Sequence, residues 1–95
     1  MRVRVKFSAM PEIVSIFEGK KEVQVDFAGN TVRGLLDHLF LKIGAKENPL
    51  FLNDQGEISP RLKVNVNGRW ISDSNRLSKK LREHDVVELA LTPAA

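Results

Sequence analysis

The chain of 95 residues contains no cysteine. That excludes disulfides, thiolate metal sites and a cysteine nucleophile. It also lacks a long apolar run: nothing approaches the ~20 residues of a membrane span. Residues 1–6, Met-Arg-Val-Arg-Val-Lys, alternate charge with apolar side chains and lack the apolar block of a signal peptide. A cytoplasmic, non-membrane protein is therefore expected. Aromatic residues make up only 6% of the chain, and no basic run alternates with them, so nucleic acid is not the expected partner. Catalytic patterns are missing too. His38 and His84 are far apart, and no nucleophile–base spacing stands out. Asp37 and His38 are adjacent, so on a helix they do not face each other. Gly29-Asn30-Thr31 is too short for a phosphate loop and lacks its lysine. No metal-ligand cluster is visible and no cofactor is implied. An enzyme in its own right is not expected.

What is present is ordinary for a globular domain: 42% hydrophobic and 28% charged residues. One domain over residues 1–95, large enough for a single core, is expected. Fifteen basic and twelve acidic residues, net charge +3, are interspersed as on a mixed solvated surface. No internal repeat or low-complexity segment occurs.

Hydrophobic periodicity supplies the elements. Residues 2–7 alternate, with Val3, Val5 and Phe7 inward and Arg2, Arg4 and Lys6 outward. Residues 8–20 fit a helical turn or a folded loop. Residues 21–27 alternate again, with Val23, Val25 and Phe27 against Glu22, Gln24 and Asp26. The basic outer side of one strand faces the acidic outer side of the next if they pair antiparallel, each pair worth about 0.2–1 kcal/mol. Thr31 is an N-cap residue. Val32, Leu35, Leu36, Leu39 and Ile43 form one stripe of an amphipathic helix, stopped at Gly44. Phe40 and Leu41 widen its apolar face. Residues 45–60 are irregular, with Leu50, Phe51, Leu52 and Ile58 expected against the core. Leu62, Val64 and Val66 alternate into Asn67-Gly68, a strong hairpin signal, and residues 69–71 return. Leu77 and Leu81, four apart, predict one helical turn within 72–81. Residues 85–91 form the last strand, apolar on nearly both faces, which places it inside the sheet. Pro93 ends it by Thr92. A helix between two strand pairs, covering one sheet face, is an α+β layout.

Four segments carry a resemblance. They are Val3-Arg-Val-Lys-Phe7, Gly29-Asn-Thr-Val-Arg-Gly-Leu-Leu36, Val64-Asn-Val-Asn-Gly-Arg69 and Leu81-Arg-Glu-His-Asp-Val-Val87. The chain resembles the MoaD/ThiS sulfur-carrier family of ubiquitin-like β-grasp proteins over essentially its whole length. The resemblance implies a mixed sheet of about five strands in the order 2-1-5-3-4, packed on one main helix. It also implies a partner, an activating adenylyltransferase-like protein or a molybdopterin-synthase-like large subunit. In the family the chain ends in Gly-Gly; its terminal carboxylate is adenylated, converted to a thiocarboxylate and used to deliver sulfur for molybdopterin, thiamine or other products. Glycine suits a tail that threads a narrow channel.

This sequence departs from that pattern. Its last residues are Thr92, Pro93, Ala94 and Ala95, and no glycine follows Gly68. His84 stands where the family usually has glycine before the aspartate. Two readings follow. One is a non-conjugating variant that docks on its partner through Trp70, Ile71, Val86 and Ala90, if these face away from the helix. Packing at the edge of the core is the plainer role for Trp70. The other is a working carrier, with the thiocarboxylate at Ala95 or on glycines beyond it. A third, RNA binding through Arg2, Arg4 and Lys6 or through Arg76, Lys79, Lys80 and Arg82, competes with a plain solvated face.

Overall fold

The computed structural model describes residues 1–8, 19, 21–43 (backbone only for Ile43), 58–72 and 74–92. The expectations for Gly44, for residues 45–57, for most of residues 8–20 and for Pro93, Ala94 and Ala95 lie outside them. The elements run β1 (Arg2–Ser8), β2 (Glu22–Asp26), α1 (Val32–Ile43), β3 (Leu62–Val66), β4 (Arg69–Trp70) and β5 (Val86–Leu91). The five strands form one sheet in the order β2-β1-β5-β3-β4, which is the order implied by the resemblance. β5 is parallel to β1 and antiparallel to β3, so the last strand is central, as its two apolar faces required.

The inward side chains of the strands meet the stripe of α1. Val3, Val5, Val32, Leu35, Leu36, Leu39, Leu62, Val64, Val87 and Leu89 have no exposed surface. Ile58 packs against this cluster from the described edge of the irregular segment. Leu41 does not: it is 86% exposed, so only Phe40 extends the apolar face of the helix inward.

The antiparallel register of β1 and β2 places Arg2 opposite Asp26 and Lys6 opposite Glu22. Arg2 lies 3.7 Å from Asp26, and Arg4 reaches diagonally to Glu22 at 3.9 Å. The charge complementarity of the two strands is real, although exposed pairs of this kind contribute only about 0–1 kcal/mol each.

The first turn of α1 leaves backbone N–H groups that need partners. Thr31 Oγ1 accepts from Gly34 N–H at 3.2 Å, as an N-cap should. Val32 and Arg33 N–H donate to the carbonyls of Lys79 and Leu77, both at 3.0 Å. This explains why residues 74–78 are turns and not the helical turn that Leu77 and Leu81 predict. Carbonyls that would continue a helix there are used to cap α1 instead. Leu81 still serves the core, since it is buried and its N–H donates to Asn30 O at 2.7 Å.

Two turns use left-handed backbone. Asn67 (φ 53°) and Gly68 (φ 88°) make the tight hairpin between β3 and β4. His84 has φ 67°, a region where glycine carries no steric cost. Its N–H donates to Arg2 O at 2.8 Å, a bond that glycine would keep. Left-handed strain of about 1–2 kcal/mol outweighs the about 0.4–1 kcal/mol by which glycine loosens the unfolded chain. His84→Gly should therefore raise stability by about 0.5–1 kcal/mol, read as a higher urea midpoint at unchanged slope. A lower midpoint would mean that the imidazole makes contacts worth more than the strain.

Candidate functional site

Residue pairing across the sheet fixes which side chains share the face away from α1. One row crosses every strand: Trp70 opposite Asn65, Asn65 opposite Glu88, Glu88 beside Lys6, and Lys6 opposite Glu22. Two residues along β5 on either side of Glu88 lie Val86, beside Arg4, and Ala90, between Ser8 and Lys63. Three of the four expected docking residues, Trp70, Val86 and Ala90, thus share the outer face. Ile71 does not. Its N–H bonds Val64 O at 2.9 Å, and its side chain packs against the core cluster. One residue beyond Trp70 on a pleated strand, it points to the opposite face.

The apolar positions are set in a polar field. Trp70 is 56% exposed on the two-residue edge strand β4, while Val86 and Ala90 are half-buried. Asn65 is 6% exposed although it lies on the outer face, and its Oδ1 accepts Gly68 N–H at 2.8 Å. Glu88 accepts Ser8 Oγ–H at 2.7 Å, joining β5 to β1 on this face. Such a surface, with one large aromatic and small apolar neighbours among charged side chains, is suited to docking a protein.

The start of β5 is tied down by Asn67. Its N–H donates to Val86 O and its Oδ1 accepts Val86 N–H, both at 2.8 Å, while Nδ2 donates to Asp85 Oδ1 at 2.9 Å. The far end is held by Arg61. Arg61 Nε donates to Thr92 O at 2.8 Å, and Thr92 N–H donates to Arg61 O at 2.9 Å. Of the four tail residues, Thr92 alone lies among the described ones, and it is anchored. Neither Arg61 nor Asn67 was visible as a site residue in the sequence. Arg61 follows a proline in an irregular stretch, and Asn67 reads as a turn residue.

Arg76 drops out of the basic group that could face RNA. It is 7% exposed and donates from Nη2 to Ser59 O at 3.2 Å. Among the described residues no group of three or more histidines and carboxylates could hold a metal ion. No described helix is long and apolar enough to cross a membrane.

Comparison with known proteins agrees with this layout. The small archaeal modifier protein 1 of Haloferax volcanii superposes with a TM-score of 0.73 at 25% identity, over 97% of this chain and 98% of that one. Urm1 of Trypanosoma brucei gives 0.74 at 21% identity, over 99% of this chain and 94% of that one. A chain of the Amycolatopsis orientalis BexX/CysO complex gives 0.69 at 18% identity, over 98% of each chain. The last two likenesses speak for the fold, a ubiquitin-like β-grasp. None of the curated proteins matches the sequence. The model of the ThiS family matches residues 12–93, and the chain belongs to that family.

Proposed function

We propose that the protein is a docking member of the sulfur-carrier group, acting in sulfur transfer for a molybdopterin- or thiamine-type cofactor. Its partner in this reading is an activating adenylyltransferase-like protein or a molybdopterin-synthase-like large subunit. It contributes a rigid surface and no reaction of its own. The observation that carries the reading is the outer sheet face, where Trp70 stands exposed on the same side as Val86 and Ala90, away from α1 and the buried core. The BexX/CysO neighbour is a β-grasp chain seen in complex with a second protein, which supports docking as a mode of action for this fold.

A carrier role is the second reading. It is favoured by the clamp of Arg61 on Thr92, which gives whatever follows Thr92 a fixed starting point at the end of the central strand. Against it stands the absence of glycine after Gly68 within the 95 residues, so trimming inside residues 69–95 exposes no Gly-Gly.

The intact mass of the protein isolated from its own cells separates the two. An ordinary carboxylate at Ala95 is the expected result for the docking member. A gain equal to the difference between sulfur and oxygen at the C-terminus would assign the carrier role to Ala95. A mass extended by glycines would assign it to a longer chain. Either of these overturns the docking-only reading.

A further inference from the structure

On the helix side of the sheet, at its β4 edge, four cations surround one hollow of about 610 Å³: Arg69, Lys79, Lys80 and Arg82. All four are exposed. Among the described residues the ion pairs involve Met1, Arg2, Arg4 and Arg33, and none of these four. The positive charge of β1 is thus balanced by β2, whereas no ion pair among the described residues balances the charge of this hollow. The one carboxylate in its described lining, Asp85, is already hydrogen-bonded. Its Oδ1 accepts Asn67 Nδ2–H and its Oδ2 accepts Arg82 N–H, both at 2.9 Å. Concave basic surfaces without counter-charges concentrate anionic partners.

The rest of the lining decides which anion fits. A compact phosphate is held by a row of free backbone N–H groups. Among the described lining residues the donors are largely spent: Asn67 N–H on Val86 O, Ile71 N–H on Val64 O, Leu81 N–H on Asn30 O and Arg82 N–H on Asp85 Oδ2. Single-stranded nucleic acid needs aromatic platforms. Its described lining has none, since Trp70 lies on the other face of the sheet. What the hollow does offer is long flexible cations around an apolar floor of Val66, Ile71 and Leu81. We infer that it docks an acidic segment of a partner protein, with carboxylates spread over Arg69, Lys79, Lys80 and Arg82 and one aliphatic side chain on the floor. This surface is separate from the one carrying Trp70.

The test is a titration of the isotopically labelled full chain, followed by its amide resonances. The probe is a peptide of four glutamates flanking one leucine. Shifts should be confined to residues 30, 67–71 and 79–85. Binding should weaken about fivefold or more on going from about 20 to 150 mM salt. Arg69→Glu and Lys80→Glu, each checked for an intact amide spectrum, should each weaken it about tenfold or more, and replacing the glutamates by glutamines should do the same. Trp70→Ala, which adds no charge next to Arg69, should leave the affinity unchanged, so failure here is distinguishable from failure of the docking face. Equal binding of the glutamine peptide, or shifts centred on Glu88 and Ala90, would overturn the inference. So would inorganic tripolyphosphate or a uridine oligonucleotide saturating the same amides at lower concentration than the peptide.

Discussion

Replacing Leu89 by alanine is expected to cost about 3–4 kcal/mol of folding stability, the middle of the range for fully buried leucines. Leu89 sits on the central strand between Phe7 of β1 and Val64 of β3, and it has no exposed surface. Both neighbouring strands are hydrogen-bonded to β5, so they cannot move in to fill the gap without breaking ladder bonds. Poor relaxation leaves a cavity, and the cavity adds to the lost transfer free energy. A domain of this size has about 5–15 kcal/mol in all. The variant should show a much lower urea midpoint with the slope retained. Leu41→Ala is the contrast. The same deletion at a position 86% exposed should change stability by about 0.5 kcal/mol or less. Similar losses at the two positions would mean that burial does not rank these side chains as described.

The same two leucines mark what could be read from the sequence. Alternation located β1, β2 and β3, and the apolar character of both faces of residues 86–91 put β5 at the centre. The basic and acidic outer sides of β1 and β2 foretold their pairing, and Asn67-Gly68 foretold the hairpin. These succeed because they are local periodicities or turns whose chemistry is fixed by a few dihedrals. Leu41 fails because it lies two residues beyond Leu39, about 200° around the helix, which puts it opposite the buried stripe. The 72–81 segment failed because its carbonyls answer to the N-terminus of α1, some forty positions earlier in the chain, which no window over the segment contains. The sequence places Ile71 on the same short return strand as Trp70. Adjacent residues on a strand face opposite ways, and only the register with Asn65 shows which of the two is outside. Arg61 left no trace, because a clamp on Thr92 across thirty-one residues is a property of the β3–β5 register.

Trp70→Glu is expected to abolish capture of the proposed partner, an adenylyltransferase-like protein or a molybdopterin-synthase-like large subunit, while the fold survives. The two consequences follow from one geometry. Trp70 lies on a strand of two residues at the edge of the sheet, is 56% exposed, and makes no part of the buried cluster. Its loss should shift the urea midpoint by an amount typical of a surface site, about 0.5 kcal/mol. At an interface the same side chain would be fully desolvated. Truncating such an aromatic commonly costs about 2 kcal/mol or more, some thirtyfold in affinity. A carboxylate in its place would additionally be buried without a partner, two strands away from the existing negative charge of Glu88 in the same cross-sheet row. Affinity should therefore fall by well over tenfold, measured as loss of the co-expressed partner on affinity purification of the tagged chain. Two other outcomes are informative. If Trp70 only caps the edge of the core, the midpoint falls by several times the surface value and the folded fraction still captures the partner. If neither changes, the docking face lies elsewhere on β1 and β5, and Val86→Glu becomes the variant that decides, because Val86 is half-buried between Arg4 and Asn67 on the same face.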